Sequence, residues 1–243
     1  MQQLNLLYSI VIPIYNEADN IIPLVEEVEW VMHAYPHLWE LIFVDDGSTD
    51  ASFDILQKLV AAKPYIRCIT LKKNYGQTSA LSAGIQASRA TWVLSLDGDG
   101  QNDPRDIPLL IETCASSDGC DLVSGIRRNR RDPWHKRIIS KLANKVRRSV
   151  LKDNTQDTGC SLKMYRRSCF EKIPLFKGMH RFLPALFQIE GYKTKEVVVH
   201  HRERRRGKSK YHLFNRGTSL FFDLLAVAWM RKRKLAYEIE REL

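Results

Sequence analysis

Short apolar runs alternate with stretches of helical periodicity through the first half of the chain. Tyr8–Pro13, Leu41–Asp45, Ile66–Leu71 and Trp92–Asp97 read as buried strands, each closing on turn or polar residues. Between them, Asn20–Ala34, Ser52–Ala62 and Gln77–Ser88 repeat apolar residues at helical spacing, and Ser48 and Thr49 stand where they would cap the second helix. A repeating βαβ pattern predicts an α/β fold with a mostly parallel central sheet flanked by helices. Such sheets bind ligands beyond the carboxyl ends of their strands. The unusual polar groups fall there: Asn16-Glu17, Asp45-Asp46 and Asp97-Gly98-Asp99.

A helix from Pro104 and a strand over Asp121–Gly125 continue the pattern, and then the character changes. Ile138, Leu142, Val146 and Val150 recur every fourth residue among lysines and arginines, which predicts a basic amphipathic helix over 135–152. A strand near Val197–His200 runs into the basic sequence Arg202–Arg206, where an anion-binding role is expected. Leu220–Met230 is nearly apolar, but as a helix it would cover only about 16 Å, against roughly 30 Å of bilayer hydrocarbon. With no secretory signal apparent at the N-terminus, a soluble or peripheral cytoplasmic protein is expected.

Composition sharpens this picture in two places. The five cysteines include no CxxC pair, which argues against a disulfide framework or zinc knuckle and for a reducing compartment. Residues 1–126 carry 7 Lys/Arg and 17 Asp/Glu, a balance of −10, whereas residues 127–243 carry 31 and 11, a balance of +20. An acidic half followed by a basic half predicts one region that handles cations and another that meets phosphates or an anionic surface.

Asp97-Gly98-Asp99-Gly100-Gln101 follows an apolar strand. Two carboxylates at i and i+2 on a glycine-rich turn suit one hard divalent cation, Mg²⁺ or Mn²⁺, with sites left for water and a substrate phosphate. The plainer reading is a turn whose carboxylates bond only backbone amides. Asp45-Asp46-Gly47-Ser48-Thr49-Asp50 ends another strand, and an acid there would accept hydrogen bonds from a nucleobase or ribose, or merely cap a helix. Pro13-Ile14-Tyr15-Asn16-Glu17 closes the first strand and is weak evidence by itself.

Together with Asn74-Tyr75-Gly76-x-x-x-Ala80-x-x-x-Gly84, these segments resemble, over nearly the whole chain, the second sequence family of inverting glycosyltransferases. The resemblance implies the GT-A fold, a nucleotide-binding αβα sandwich. It implies that Pro13, Tyr15, Glu17 and Asp45 lie around base and ribose with Asp46 assisting, that Gly98 and Asp97 meet the nucleotide-sugar, and that Asp97, Asp99 and Gln101 surround the metal.

Trp134 with Lys136, Arg137 and Ser140, the Asp157-x-Gly159 turn, and Arg204-x-x-Gly207-x-Ser209-Lys210-Tyr211 resemble the polyprenyl-phosphate sugar synthases, the dolichyl-phosphate mannose synthases and their undecaprenyl-phosphate equivalents among them. In that group the acceptor is a lipid monophosphate. By resemblance, Arg127, Arg137 and Ser140 hold the acceptor phosphate, Asp157 and Ser209 meet the donor, and Arg204 and Lys210 join Asp97 and Asp99 as catalytic residues around the departing diphosphate. The expected reaction moves a hexose-type sugar from a UDP- or GDP-sugar to polyprenyl phosphate. A phosphate monoester, with its second pKa near about 6, is already largely dianionic at neutral pH and needs no dedicated base.

The expected layout is a catalytic domain over 1–212, its nucleotide part about 1–126 and its acceptor part about 127–212, followed by an amphipathic segment 213–243. Phe214, Leu220, Phe221, Leu224, Leu225 and Trp229 are expected to enter an anionic membrane interface, with Arg231–Lys234 on its lipid headgroups; packing of Leu220–Met230 on a core or subunit contact is the competing reading. A homo-oligomer or a membrane-protein partner stays open. Two other functions compete: a family 2 transferase acting on a sugar hydroxyl, and a nucleic-acid or anionic-surface binding protein. Nucleic acid is disfavoured by the acidic first half and by the lack of a recognised binding motif. An aspartyl phosphatase is disfavoured because Asp45-Asp46 precedes the DxD, a dehydrogenase because no GxGxxG follows the first strand, and an EF-hand because Gln101 and Asn102 stand at loop positions needing other residues.

Overall fold

Tyr8-Ser-Ile-Val-Ile-Pro-Ile forms β1 (Tyr8–Ile14), buried along nearly its whole length. A continuous apolar run of this kind belongs inside a parallel sheet covered on both faces. A computed structural model of the protein describes residues 6–116, 119–127, 147–203, 214–235 and 241, with the side chains of 214–219 outside the description. β1 is followed by α1 (Ala18–Met32), β2 (Trp39–Asp45), α2 (Ser52–Ala62), β3 (Ile66–Thr70), α3 (Gln77–Ala87), β4 (Trp92–Ser95), α4 (Ile107–Ala115), β5 (Leu122–Arg127), β6 (Lys163–Arg166) and β7 (Thr194–Val199). The strands form one sheet in the order β3-β2-β1-β4-β6-β5-β7, and only β6 runs antiparallel to its neighbours. This is the mostly parallel α/β sheet that the alternating pattern predicts.

Register decides where the polar ends meet. Ile14 pairs with Asp45, and Asp45 with Thr70, so β1, β2 and β3 end level with one another. On the other side of β1, Val11 pairs with Ser95, which brings Asp97, two residues on, to the same edge. α1 buries Ile21, Leu24, Val25, Val28, Val31 and Met32, the i, i+3, i+4, i+7 face of an amphipathic helix. α3 lies so close to the sheet that a Cβ on Gly84 would stand 2.3 Å from Val11 Cγ1 and 2.9 Å from Val44 Cγ2.

The structure departs from the sequence reading at several points. Ser48 and Thr49 do not cap α2, whose cap position is Ala51 and carries no side-chain hydrogen bond. β6 and the short helices Arg167–Phe170 and Leu183–Ile189 were not foreseen. The residues group into two units, 1–132 with 155–210 and 133–154 with 211–243.

Within the second unit, residues 147–151 are helical, and Arg231 of the helix Phe214–Arg233 donates Nη1 to the Leu151 carbonyl at 2.6 Å. A buried pair between Arg147 Nη1 and Asp153 Oδ2 at 2.5 Å closes the same segment. Leu224 and Val227 are buried, whereas Phe221, Phe222, Leu225 and Trp229 are exposed, Trp229 at 62%. Leu224, expected among the residues entering a membrane, therefore turns inward; the side chain of Phe214 lies outside the described residues. Among the described residues no helix is long and apolar enough to cross a membrane.

Candidate active site

The ends of β1 and β2 are stitched together by short polar side chains. Asn16, in the left-handed region at φ 52° that asparagine tolerates, accepts from Thr49 N at 2.7 Å and Asp50 N at 3.3 Å. Asn16 N donates to Ser48 Oγ at 2.9 Å, Glu17 N to Ser52 Oγ at 3.0 Å and Ala18 N to Asp50 Oδ2 at 3.2 Å. The orphan amides at the start of α1 are thus satisfied from the neighbouring loop, which is where Ser48 and Asp50 are used. Glu17 is buried and accepts from Asn20 Nδ2 at 2.6 Å.

Beside this stitching opens a cleft of about 640 Å³, lined by Tyr15, Asp45, Gly47–Thr49, Phe53 and Thr70–Asn74. It is lined by the aromatic rings of Tyr15 and Phe53, the buried carboxylate of Asp45, and Lys72 and Lys73, a combination suited to a base and ribose. Asp45 Oδ1 accepts Ser48 N at 3.0 Å. Pro13 sits in β1 opposite Val44. Asp46 faces elsewhere, its two oxygens accepting the amides of Tyr75 and Gly76, each at 2.8 Å. Expected beside the nucleotide, Asp46 holds the loop that leads into α3.

That loop connects the two acidic strand ends. Gln77, first residue of α3, donates Nε2 to Asp97 Oδ1 at 2.6 Å. Asp97 N donates to Asn102 Oδ1 at 3.0 Å, and Ser161 Oγ donates to the same oxygen at 2.7 Å. Asp99 Oδ1 accepts Gln101 N at 3.1 Å, so the amide-bonded turn and the carboxylate pair coexist. A Cβ on Gly98 would meet Ile14 Cγ2 at 2.5 Å. The residue between the two aspartates must be glycine for the turn to rest on the end of β1.

Burial, and then the charge of Asp99, push Asp97 up to about 6, against the pull of Ser161, Lys163 and Arg127. Lys163 lies beneath the site on β6, only 3% exposed, and donates Nζ to the Cys160 carbonyl. Burial pulls its ammonium below the usual lysine range. Arg127, at the end of β5, makes a two-pronged pair with Asp157, Nε to Oδ2 and Nη2 to Oδ1, both 2.8 Å. Asp157 also accepts Gly159 N at 3.1 Å. Two residues expected to meet different substrates therefore meet each other. Arg137, Ser140, Arg204, Ser209 and Lys210 lie outside the described residues. Gln77, Asn102 and Lys163 were not singled out from sequence; the one available signal was that Gln77 directly follows the Asn74-Tyr75-Gly76 motif.

Two hard-oxygen carboxylates at i and i+2, one held high by burial and then by the other's charge, form half a cation site. Among the described residues no third Asp, Glu, His or Cys joins them. A divalent ion that keeps water and takes phosphate oxygens fits such a donor set.

A mostly parallel sheet with a nucleotide-sized cleft and a twin-carboxylate turn at one edge defines the GT-A class of sugar-nucleotide transferases. Solved structures of that class are similar in fold. Glucosyl-3-phosphoglycerate synthase from Mycobacterium tuberculosis, in complex with Mn²⁺ and UDP-glucose, gives a TM-score of 0.69 at 18% identity, over 92% of this chain and 79% of that one. The model of glycosyl transferase family 2 matches residues 9–174, and the chain belongs to that family. It is 40% identical over 230 residues to the dodecaprenyl-phosphate galacturonate synthase of Rhizobium johnstonii, covering 93% of this chain and 68% of the relative. It is 35% identical over 223 residues to the undecaprenyl-phosphate 4-deoxy-4-formamido-L-arabinose transferase of Aeromonas hydrophila, covering 90% and 67%. The chain thus spans about two thirds of the length of these relatives, and it is a glycosyltransferase.

Proposed function

We propose that this glycosyltransferase moves a hexose-type sugar from a UDP- or GDP-sugar to a polyprenyl phosphate, with Mg²⁺ or Mn²⁺ held by Asp97 and Asp99. The observation that carries the reading is the common edge at which β2 and β4, on either side of β1, deliver Asp45 and the Asp97-Gly98-Asp99 turn. The names of both relatives point to the same acceptor class.

In this reading Tyr15 and Asp45 receive the base and ribose in the cleft, while Asp46 holds the loop into α3. A divalent ion at Asp97 and Asp99, with Gln101 beside them, supplies charge neutralisation for the departing diphosphate. An acceptor phosphate oxygen attacks the anomeric carbon as the bond to the diphosphate breaks, and configuration inverts in one displacement. Arg204, Ser209 and Lys210 are assigned to the donor diphosphate, Arg137 and Ser140 to the acceptor phosphate. Arg127, its plane fixed by Asp157, is assigned to the acceptor phosphate through Nη1. The sequence offers no self-evident base, and Asp157, one carboxylate that could serve, is held on both oxygens by Arg127, which favours a phosphate over a sugar hydroxyl as nucleophile.

The chain works, in this reading, at the cytoplasmic face of an anionic membrane, where its lipid acceptor resides. Phe221, Phe222, Leu225 and Trp229 form an exposed apolar face on a helix whose last turn is Arg231, Lys232 and Arg233, a combination suited to a headgroup boundary. Asp99→Ala tests the cation assignment. Transfer of labelled sugar to undecaprenyl phosphate should fall at least a hundredfold, as expected for losing one ligand of a charge-stabilising ion, roughly 3 kcal/mol; unchanged transfer, or transfer indifferent to EDTA, would refute it.

A further inference from the structure

The segment that follows β7 is fastened to the residues that follow the acidic turn. His200 N donates to Asp106 Oδ2 at 2.7 Å, and His200 Nδ1 lies 2.8 Å from Asp106 Oδ1. His201 pairs with Asn102 as an isolated antiparallel bridge, and Arg202 N donates to the Gln101 carbonyl at 2.9 Å. The Arg202 side chain then spreads in two directions. Nη1 reaches both oxygens of Glu27 on α1, at 2.8 and 2.7 Å, and Nη2 reaches Asp103 Oδ1 at 2.6 Å.

Sequence reading put Arg202 at the head of an anion-binding run; the structure gives it to two carboxylates of its own chain. Its partners are 175 and 99 residues away in sequence. Asp103 is buried and Arg202 partly so, at 3% and 19% side-chain exposure, while Glu27 is half-exposed. Arg105 does not replace this clamp, because among these residues its hydrogen bonds are to Asp103 alone.

The clamped residues adjoin the cation turn directly. Asn102, between Gln101 and Asp103, supplies the Oδ1 that accepts Asp97 N and Ser161 Oγ. Gln101 N is in turn bonded by Asp99 Oδ1. A two-carboxylate site has little redundancy, so the placement of each carboxylate bears directly on cation affinity. We infer that Arg202 is a positioning residue for cation binding, pinning 101–103 against α1 and so fixing the Asp97-Gly98-Asp99 turn without touching the ion. The inference rests on the proposal that this turn binds Mn²⁺ or Mg²⁺.

The test is calorimetric titration of Mn²⁺ into the full chain, alongside hydrogen exchange of the 97–103 amides in metal-free protein. Arg202→Met should weaken Mn²⁺ binding by about tenfold or more, the scale of losing a partner that orients a ligand, and should speed exchange across 97–103. Glu27→Gln, which leaves the Asp103 leg intact, should weaken binding by a smaller factor, and Arg202→Lys should restore part of the loss. If Arg202→Met does not fold, Glu27→Gln decides. Folded variants that bind Mn²⁺ as tightly as wild type, with unaltered exchange, overturn the inference and leave the cation site standing. A wild-type chain that binds no Mn²⁺ overturns both.

Discussion

Asp97 is subject to opposing forces. Burial and Asp99 favour its protonated form, and Gln77, Lys163 and Arg127 surround it. A carboxyl raised to about 6 must lose its proton before a cation binds, so the proton competes with the metal. Mn²⁺ affinity should be flat above about pH 7 and fall by about tenfold near pH 5, one unit below the Asp97 value, as measured by titration in buffers of different ionisation enthalpy. An affinity independent of pH over that interval would remove Asp97 from the ligand set. The neighbouring acids show how far single residues can be read. Asp45 and Asp46 adjoin in sequence, but successive side chains at a strand end face opposite ways; Asp45 faces the cleft and Asp46 the amides of Tyr75 and Gly76. Nothing local says which does which. Lys163 looks like a surface lysine and is buried under the site, and Gln77 looks like an ordinary helix former.

Among elements, β1, β2 and β4 were legible within a few residues, because each is an apolar run buried along most of its length and ended by polar groups; β3, at the sheet edge, is buried only at Ile66. β6 escaped because Lys163-Met-Tyr-Arg166 offers four residues, two of them cations, with no alternation to mark a buried strand. Ser48 was misplaced for a physical reason: a hydroxyl in a loop between strand and helix can serve either the following helix or a neighbouring one, and here it serves Asn16 N. The helix Phe214–Arg233 bears on two readings that sequence leaves open, membrane entry and packing. Leu224 and Val227 face inward, while Phe221, Phe222, Leu225 and Trp229 are exposed. Trp229→Glu should cut flotation with anionic vesicles several-fold while leaving helix content unchanged, since it places a charge where an apolar ring would enter the interface. Equal flotation of variant and wild type would put this helix elsewhere than on lipid.

At the scale of the molecule, the acidic first half supplies the strand ends β1, β2 and β4, and the sheet carries them to one edge. The arginines and lysines of the second half are described only in part. Arg127 pairs with Asp157 and Arg202 with Glu27 and Asp103, so part of the charge counted along the sequence is met by carboxylates of the chain itself. Family and fold were legible because strand-end motifs recur in a fixed order. The grouping of 133–154 with 211–243 was not, because it depends on contacts between segments far apart in the chain. The central claim is that the acidic edge activates a sugar nucleotide toward a lipid phosphate. It is tested most directly by incubating the full chain with undecaprenyl phosphate, Mn²⁺ and a panel of radiolabelled UDP- and GDP-sugars, then counting the organic phase. The account predicts label in the lipid with one of the donors, released by mild acid as expected for a glycosyl phosphate and absent when the acceptor is the unphosphorylated polyprenol. Label carried instead to a sugar hydroxyl, with the lipid phosphate left bare, would contradict it.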